Sequence, residues 1–298
     1  MHKVDILLPT YNGEKFVEQQ IKSLLNQTYK NINILIRDDG SKDETRNIIK
    51  DLAELDNRII FNNDVKENLG LVSNINFLLG ISNAEYIMYC DQDDVWLDNK
   101  VEIMLNEILK REKELEKHTP VLVHSDCYIT DQNLKINGHF KGSRPLQYGL
   151  NNSLFKYYVQ GASTLINSSL KKEIQPFIEN VYIHDRYTHL CAEIMGYRFY
   201  INQPLMYYRQ HDSNVIGSSS LITKIKNNLL LKNFIFFQVK DRELIESIFK
   251  KKYPNNEMLN GYLKITSQET SLIEKLQILR KFKITMRLKE FIIMIIKF

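Results

Sequence analysis

Five apolar or aromatic residues, Tyr86, Ile87, Met88, Tyr89 and Cys90, run straight into three carboxylates: Asp91, Asp93 and Asp94. A short β-prone run bounded by polar residues reads as a buried strand, and open α/β sheets bind ligands beyond the carboxyl ends of their strands. The three acids are therefore expected in a crevice. Carboxylates this close repel one another unless a cation or a proton offsets the charge, and hard oxygen ligands suit Mg2+ or Mn2+. The competing reading is structural, with Asp94 or Asp98 capping the helix that follows.

The flanking pattern says what kind of sheet carries this strand. Residues 4–8 read as a strand, and within residues 14–27 Val17, Ile21, Leu24 and Leu25 fall on one helical face. Strands at 33–37 and 58–61 then alternate with helices at 43–55 and 71–82, and a charged helix at 98–116 follows the acidic tip. Such alternation with short connections predicts an α/β fold, a single doubly wound, mainly parallel sheet. Further strands are expected at 121–125, 163–167, 198–201 and 205–209, with a helix at 184–196 opened by Asp185. Residues 131–149 hold turn formers and read as a loop, or two short strands, over a site. Ser218, Ser219 and Ser220 read as a joint, which sets a catalytic domain over 1–217 and a basic amphipathic helical region over 218–298.

Charge separates these two parts. Residues 221–298 hold 16 Lys or Arg against 7 Asp or Glu, net +9, whereas residues 1–220 hold 24 against 29, net −5. A sign change of this kind suggests a basic attachment region behind an acidic body. Cys90, Cys127 and Cys191 lack metal-site or disulfide spacing, which favours a reducing cytoplasm. No signal peptide is expected, since no charged leader followed by a long apolar segment is read, and no apolar run approaches the roughly 20 residues of a spanning helix.

Three strand tips carry candidate chemistry. Pro9, Thr10, Tyr11, Asn12 and Gly13 close the first strand, with an aromatic face at Tyr11 for a flat ring; an ordinary strand-to-helix turn is the alternative. Asp38 and Asp39 close the second, where a buried carboxylate needs a donor that the imide N–H of uracil or thymine would supply. Ser41 or Asp43 there reads as a helix cap. Asn68, Leu69 and Gly70 precede a helix.

Taken in order, Pro9-Thr10-Tyr11-Asn12, Asp38-Asp39-Gly40-Ser41, Asn68-Leu69-Gly70 and Asp91-Gln92-Asp93-Asp94 resemble an inverting family 2 glycosyltransferase over about residues 3 to 215. The resemblance implies a GT-A type fold and a nucleotide-sugar donor whose base lies between Tyr11 and Asp39, with Thr10 and Asn68 nearby. It implies Asp91 on the ribose or donor sugar and Asp93 as ligand to a metal, Mn2+ or Mg2+, on the diphosphate. Inversion also needs a base for the acceptor hydroxyl. Asp185, after His184, matches the family's position for it, with a plain helix cap as alternative. His211 resembles a third metal-ligand position, and Arg209 is a candidate for phosphate. Gln92 and Trp96 are candidates at the donor, Trp96 as a sugar-stacking face or as core; Gln160, Gly161 and Ala162 border the sugar.

The run Cys90-Asp91-Gln92-Asp93-Asp94-Val95-Trp96 is most similar to the rhamnosyltransferase-like branch, which implies dTDP-rhamnose, with UDP-hexose or N-acetylhexosamine donors as the alternative. The acceptor is expected to be a glycan or lipid-linked glycan of a surface polysaccharide. A nucleotidyltransferase would need a glycine-rich, lysine-bearing triphosphate loop that is not evident, and a silent binding module would need no base. In residues 283–298, Ile284, Leu288, Phe291, Ile292 and Ile295 share one helical side, as in an interfacial helix; residues 221–240 pattern similarly. Peripheral contact with the inner membrane face and a homodimer are the two readings. Nucleic acid is not expected, because no reading module interleaves with the charge.

Overall fold

The computed structural model describes residues 1–63, 68–141, 148–156, 159–211 and 227–284, with side chains from 239 onward in the last stretch. Two compact units emerge. The first comprises Met1–Pro145, Val159–Pro176 and Ile183–Ser218, and the second Leu146–Tyr158, Phe177–Tyr182 and Ser219–Phe298.

The first unit is built on β1 (Val4–Thr10), every residue of which is buried. Burial on both faces is what a central parallel strand requires. α1 (Val17–Leu25) packs Val17, Ile21 and Leu24 into the same core as Val4, Ile6 and Leu8. Asp5 points the other way and accepts from Ser82 Oγ at 2.8 Å, at the end of α3 (Leu71–Ile81). β2 (Ile32–Asp38), β3 (Ile59–Asn62) and β4 (Tyr86–Tyr89) complete a parallel block in the order β3-β2-β1-β4, with α2 (Thr45–Leu55) beside it. Thr10 is level with Asp38, and Leu7 with Tyr89, so three tips open at one edge.

Beyond β4 the directions mix. After the short β5 (Val95–Trp96) and α4 (Lys100–Glu114), β6 (Val121–Thr130), β7 (Ile136–His139), β8 (Thr164–Asn167) and β9 (Tyr197–Arg209) extend the sheet as β4-β8-β6-β9-β5, with β7 on β6. β8 is antiparallel to both neighbours, and β9 runs parallel to β6. The two strands expected at 198–201 and 205–209 are one. Pro204 lies opposite Asp126 where the register with β6 shifts, so the bulge absorbs the turn-forming Asn202 and Pro204 without ending the strand. The expected loop after β6 contains strand β7; residues 142–147 of it lie outside the described residues.

After α6 (Ser168–Ile174), helix α7 (His184–Met195) follows Ile183 at its N-cap without a side-chain cap, so Asp185 sits inside its first turn and is not its cap. α4 likewise starts after Asn99 without a side-chain cap, which removes that role from Asp94 and Asp98. Asp43 does serve the start of α2, accepting from Thr45 N at 3.1 Å.

The second unit contains α5 (Leu150–Ser153), α8 (Asn227–Lys251), α9 (Glu257–Ile265) and α10 (Leu272–Lys281). Gly261 on α9 lets Phe282 and Ile278 approach, since a Cβ there would lie 2.7 Å from the Phe282 ring. The short stretches 146–158 and 177–182 join these helices: Phe155 packs on Tyr262, and Tyr182 Oη donates to Asp241 at 2.6 Å. Among the described residues no helix is long and apolar enough to cross a membrane. The interfacial pattern expected at 283–298 lies outside the described residues beyond Ile284, as do the Ser218, Ser219 and Ser220 joint and residues 221–226.

Candidate active site

At the tips of β1 and β2, main-chain turns are tied to one another. Asp38 is fully buried; its oxygens accept from Gly40 N (3.1 Å), Ser41 N (2.8 Å) and the Thr10 and Ser41 hydroxyls. Its acceptors are thus engaged by the turn itself, and the donor that sequence reasoning sought for it comes from within the chain. Asn12 adopts φ 48° and closes a second link, its backbone N–H donating to Ser41 Oγ and its side-chain oxygen accepting from Lys42 N. Asp39 reaches across instead: Arg37 Nη1 and Leu69 N each donate to Oδ1 at 2.8 Å, and Gly70 N to Oδ2 at 2.8 Å. Asn68 Nδ2 adds a bond to the Asp39 carbonyl at 3.0 Å. The structure therefore brings Asp39 and Asn68 together, and Pro9 lies beside Arg37 in the strand register. Tyr11 is 46% exposed. Gln92 clamps its backbone from both sides, donating to Tyr11 O at 3.0 Å and accepting from Tyr11 N at 2.9 Å. Gln92 thereby positions Tyr11.

The acidic tip carries the strongest electrostatic strain. Burial, then repulsion from Asp93 and Asp185, pushes the Asp91 carboxyl up to about 7. Burial, then Asp93 and Asp91, pushes Asp94 well above the usual carboxylate range, although Arg209 N donates to its Oδ1 at 3.1 Å. Asp93 faces His211, with Oδ2 2.9 Å from Nε2. Arg209 braces this corner: Nε donates to the Asp93 carbonyl (2.7 Å), Nη1 to Gln132 O (2.5 Å) and Nη2 to Gln19 Oε1 (2.6 Å), with the guanidinium over Phe16. Burial draws the Arg209 pKa down.

These residues fit a divalent cation. Two raised carboxyls mark a corner short of positive charge, and Asp93 and His211, 2.9 Å apart, could offer a divalent cation one oxygen and one nitrogen. Among the described residues no cluster of three or more such side chains forms, so a cation held here would take its other ligands from phosphate and water, as Mg2+ usually does and Mn2+ with imidazole can.

Across the crevice, Asp185 accepts from Arg186 N at 2.7 Å. It abuts the 3₁₀ turn Gly161–Ser163: a Cβ on Gly161 would sit 3.0 Å from His184 Nε2 and 3.1 Å from Asp185 Oδ2, so only glycine fits without displacement. Gln160 Nε2 lies 3.4 Å from Asp91 Oδ2, which joins this turn to the acidic tip. His184 is buried edge-on against Tyr89, both ring nitrogens lack hydrogen-bond partners, and burial lowers its pKa. Trp96 corrects the sugar-stacking alternative: it is 2% exposed in the main core beneath β9, opposite Met206. Sequence reasoning missed Lys100, fully buried behind the acidic tip; a lone lysine at a helix start resembles any solvated one.

Thr10, Asp38, Asp39, Asp91, Asp93 and Asp94 thus gather at the carboxyl ends of β1, β2 and β4, the edge where open α/β sheets bind ligands. The chain belongs to glycosyl transferase family 2, whose sequence profile matches residues 5–173. It is similar to the dTDP-rhamnosyl transferase RfbG of Shigella flexneri, 26% identical over 86% of this chain and 89% of that protein. It also resembles WfaP of Escherichia coli, a UDP-Glc:alpha-D-GlcNAc-diphosphoundecaprenol beta-1,3-glucosyltransferase, at 31% identity over 60% of this chain and 66% of that one. Among solved structures, TarS of S. aureus superposes with a TM-score of 0.58 at 14% identity, covering 97% of this chain and 50% of TarS. The mannosyltransferase PcManGT of Pyrobaculum calidifontis, solved with GDP-Man and Mn2+, gives 0.56 at 13% identity over 99% of this chain and 85% of its own. These structures share the fold, which is the GT-A type that the motifs imply.

Proposed function

We propose that this chain is an inverting glycosyltransferase that moves a sugar from a nucleotide-sugar donor, dTDP-rhamnose, to a glycan or lipid-linked glycan during surface polysaccharide synthesis. The observation that carries the reading is the Asp93–His211 pair at 2.9 Å, at the end of a strand whose other acids are raised by burial and then by one another. In this reading Tyr11 lies against the base and Asp39 with Asn68 meets its polar edge. Asp91 contacts the ribose or sugar, and Asp93 with His211 holds Mn2+ or Mg2+. When bound, the cation neutralises charge developing on the departing diphosphate. Asp185 accepts the proton of the acceptor hydroxyl as that oxygen attacks the face opposite the leaving group. Arg209, Gln92 and Asp38 keep the crevice in shape.

The similarity to RfbG along most of both chains supports the rhamnose donor. The similarity to WfaP favours UDP-glucose as the second reading. A screen of dTDP-rhamnose and UDP-sugars with Mn2+ or Mg2+, read by thermal shift and by hydrolysis, decides between them. Dependence on dTDP-rhamnose is expected, and failure of every nucleotide sugar overturns the function. The net +9 region at 221–298 fits a peripheral contact with an anionic membrane on the cytoplasmic side. Co-sedimentation with anionic vesicles tests that, and a dimer in their absence is the opposing outcome.

A further inference from the structure

Lys100 is a lysine with no place to be solvated, and burial draws its pKa down to about 7. It opens α4 and is fully buried. Its Nζ donates to the Ala162 carbonyl at 2.5 Å, lies 3.2 Å from Met206 Sδ and stands 3.5 Å from the centre of the Trp96 ring. Burying an ammonium without a direct carboxylate partner is strongly unfavourable, and a Leu or Met would fill the same core volume. Such a replacement could not donate to Ala162.

That carbonyl sits in the Gly161–Ser163 turn, and the turn touches both walls of the crevice. Gly161 rests against His184 and Asp185, while the preceding Gln160 reaches Asp91. Ala162 itself is fully buried, so water does not substitute for the lysine as a donor. The chain of contacts thus runs from Lys100 to Ala162 and Gly161, and from that turn to Asp185 on one side and, through Gln160, to Asp91 on the other. No other described side chain donates to this turn from beneath with a charge.

We propose that Lys100 is a positioning residue for sugar transfer: its bond to the Ala162 carbonyl sets the turn on which Asp185 rests, fixing the proton-accepting group relative to the acidic tip. The inference rests on the transferase reading above. A displacement of about 1 Å in a reacting group lowers turnover about 10²-fold. Loss of the bond is therefore expected in kcat, with nucleotide binding at Tyr11 and Asp39 left alone.

The test compares the full chain with its Lys100→Met and Lys100→Gln variants, using dTDP-rhamnose and UDP-glucose hydrolysis with Mn2+ and thermal-shift titration with dTDP and UDP. Lys100→Met is expected to lower kcat about 10²-fold while nucleotide affinity changes by less than about threefold. Lys100→Gln, which keeps a donor without the charge, is expected to recover part of that loss. Wild-type kcat in folded Lys100→Met overturns the proposal, as does an equal fall in kcat and affinity, which marks a merely structural lysine. Should Lys100→Met not fold, Gly161→Ala decides with Lys100 intact: lower kcat at unchanged nucleotide affinity supports the linkage, and unchanged kcat overturns it. A wild-type chain that neither binds these nucleotides nor hydrolyses these sugars overturns the transferase reading instead.

Discussion

His211 brings Nε2 to 2.9 Å from Asp93 Oδ2 across 118 residues of sequence, two residues beyond the last strand of the sheet. The approach depends on β9 running unbroken to Arg209, whose guanidinium grips the Asp93 carbonyl from behind. A pair held this firmly by backbone is preorganised to share a ligand.

Replacing Asp93 with Ala is expected to abolish nearly all turnover. His211→Ala should leave a weaker site, raising the Mn2+ needed for half-maximal hydrolysis by at least about tenfold. The same variant should lose most of the manganese-dependent thermal shift seen with nucleotide. An unchanged manganese requirement in His211→Ala would exclude the imidazole as a ligand.

Asp185 stands in the first turn of α7 with one oxygen on Arg186 N and the other beside Gly161. Asp185→Asn keeps the shape and removes the proton acceptor, so kcat should fall by about 10²–10⁴-fold. Nucleotide binding should stay near wild type. Equal kcat in the two proteins would assign the base elsewhere.

Asp39 holds Leu69 N and Gly70 N together, at the end where the proposed donor base would lie. Asp39→Ala removes the acceptor from buried donors, each loss being worth about 1–3 kcal/mol. Affinity for dTDP should drop about 10–100-fold, while Asp38→Asn, which acts on the turn at Gly40 and Ser41, should register chiefly as lower thermal stability. Identical nucleotide affinity in Asp39→Ala and wild type would move the base to another wall.

Trp96 is the chain's single tryptophan, so its emission reports one place. Being core, it should resist acrylamide quenching in the native state and change little on donor binding. Trp96→Ala should destabilise the fold by about 3–5 kcal/mol. Strong quenching of the native chain would return this ring to the crevice.

The parallel block was legible because its signals are local: residues 4–8 and 33–37 are apolar runs with polar ends, and each is a strand. The acidic tip and its order with Tyr11 and Asp39 were equally local. What escaped depends on distant partners. The two strands expected at 198–201 and 205–209 are one, because the register shift opposite Asp126 takes in Pro204, a pairing set by the neighbouring strand and not by local sequence. Asp38 invited a ligand because its donors, Thr10 and the following turn, are an arrangement of backbone and not of residue type. Trp96 and Lys100 are buried together by Met206 and Ala162, and nothing near residue 100 announces either neighbour. The segments 146–158 and 177–182 read as part of the body yet cluster with the C-terminal helices, since cohesion of Phe155 with Tyr262 or Tyr182 with Asp241 leaves no periodicity.

Acid should unfold this protein through a buried polar group on α7 and β9. Arg198 Nε donates to Glu193 Oε1 at 2.7 Å, His189 Nε2 lies 3.6 Å from the same oxygen, and Arg198 Nη1 is 3.0 Å from His124 Nε2. Burial draws His189 from its usual 6.5 down to about 4 despite Glu193, which pulls the other way. Glu193 is disfavoured as an anion by burial, yet the adjoining His189 and Arg198 hold it at about 2 against an ordinary 4.5. Both folded values lie below the unfolded ones, so the unfolded chain binds more protons and stability falls as pH falls. The histidine contribution is complete above about 6.5 and lost on the way to about 4; the glutamate contribution follows between 4.5 and about 2. His124, pushed well down by burial and then Arg198, acts in the same direction. Across the first window His189 alone accounts for up to about 3 kcal/mol. Because the raised Asp91 and Asp94 carboxyls add stability over the same fall in pH, the histidine is read by difference: between pH 7.5 and pH 4.5 in urea unfolding, the wild type should lose up to about 3 kcal/mol more than His189→Gln. A His189→Gln protein with the wild-type slope would place the acid sensitivity at other groups and leave α7 anchored by Arg198 and Glu193 alone.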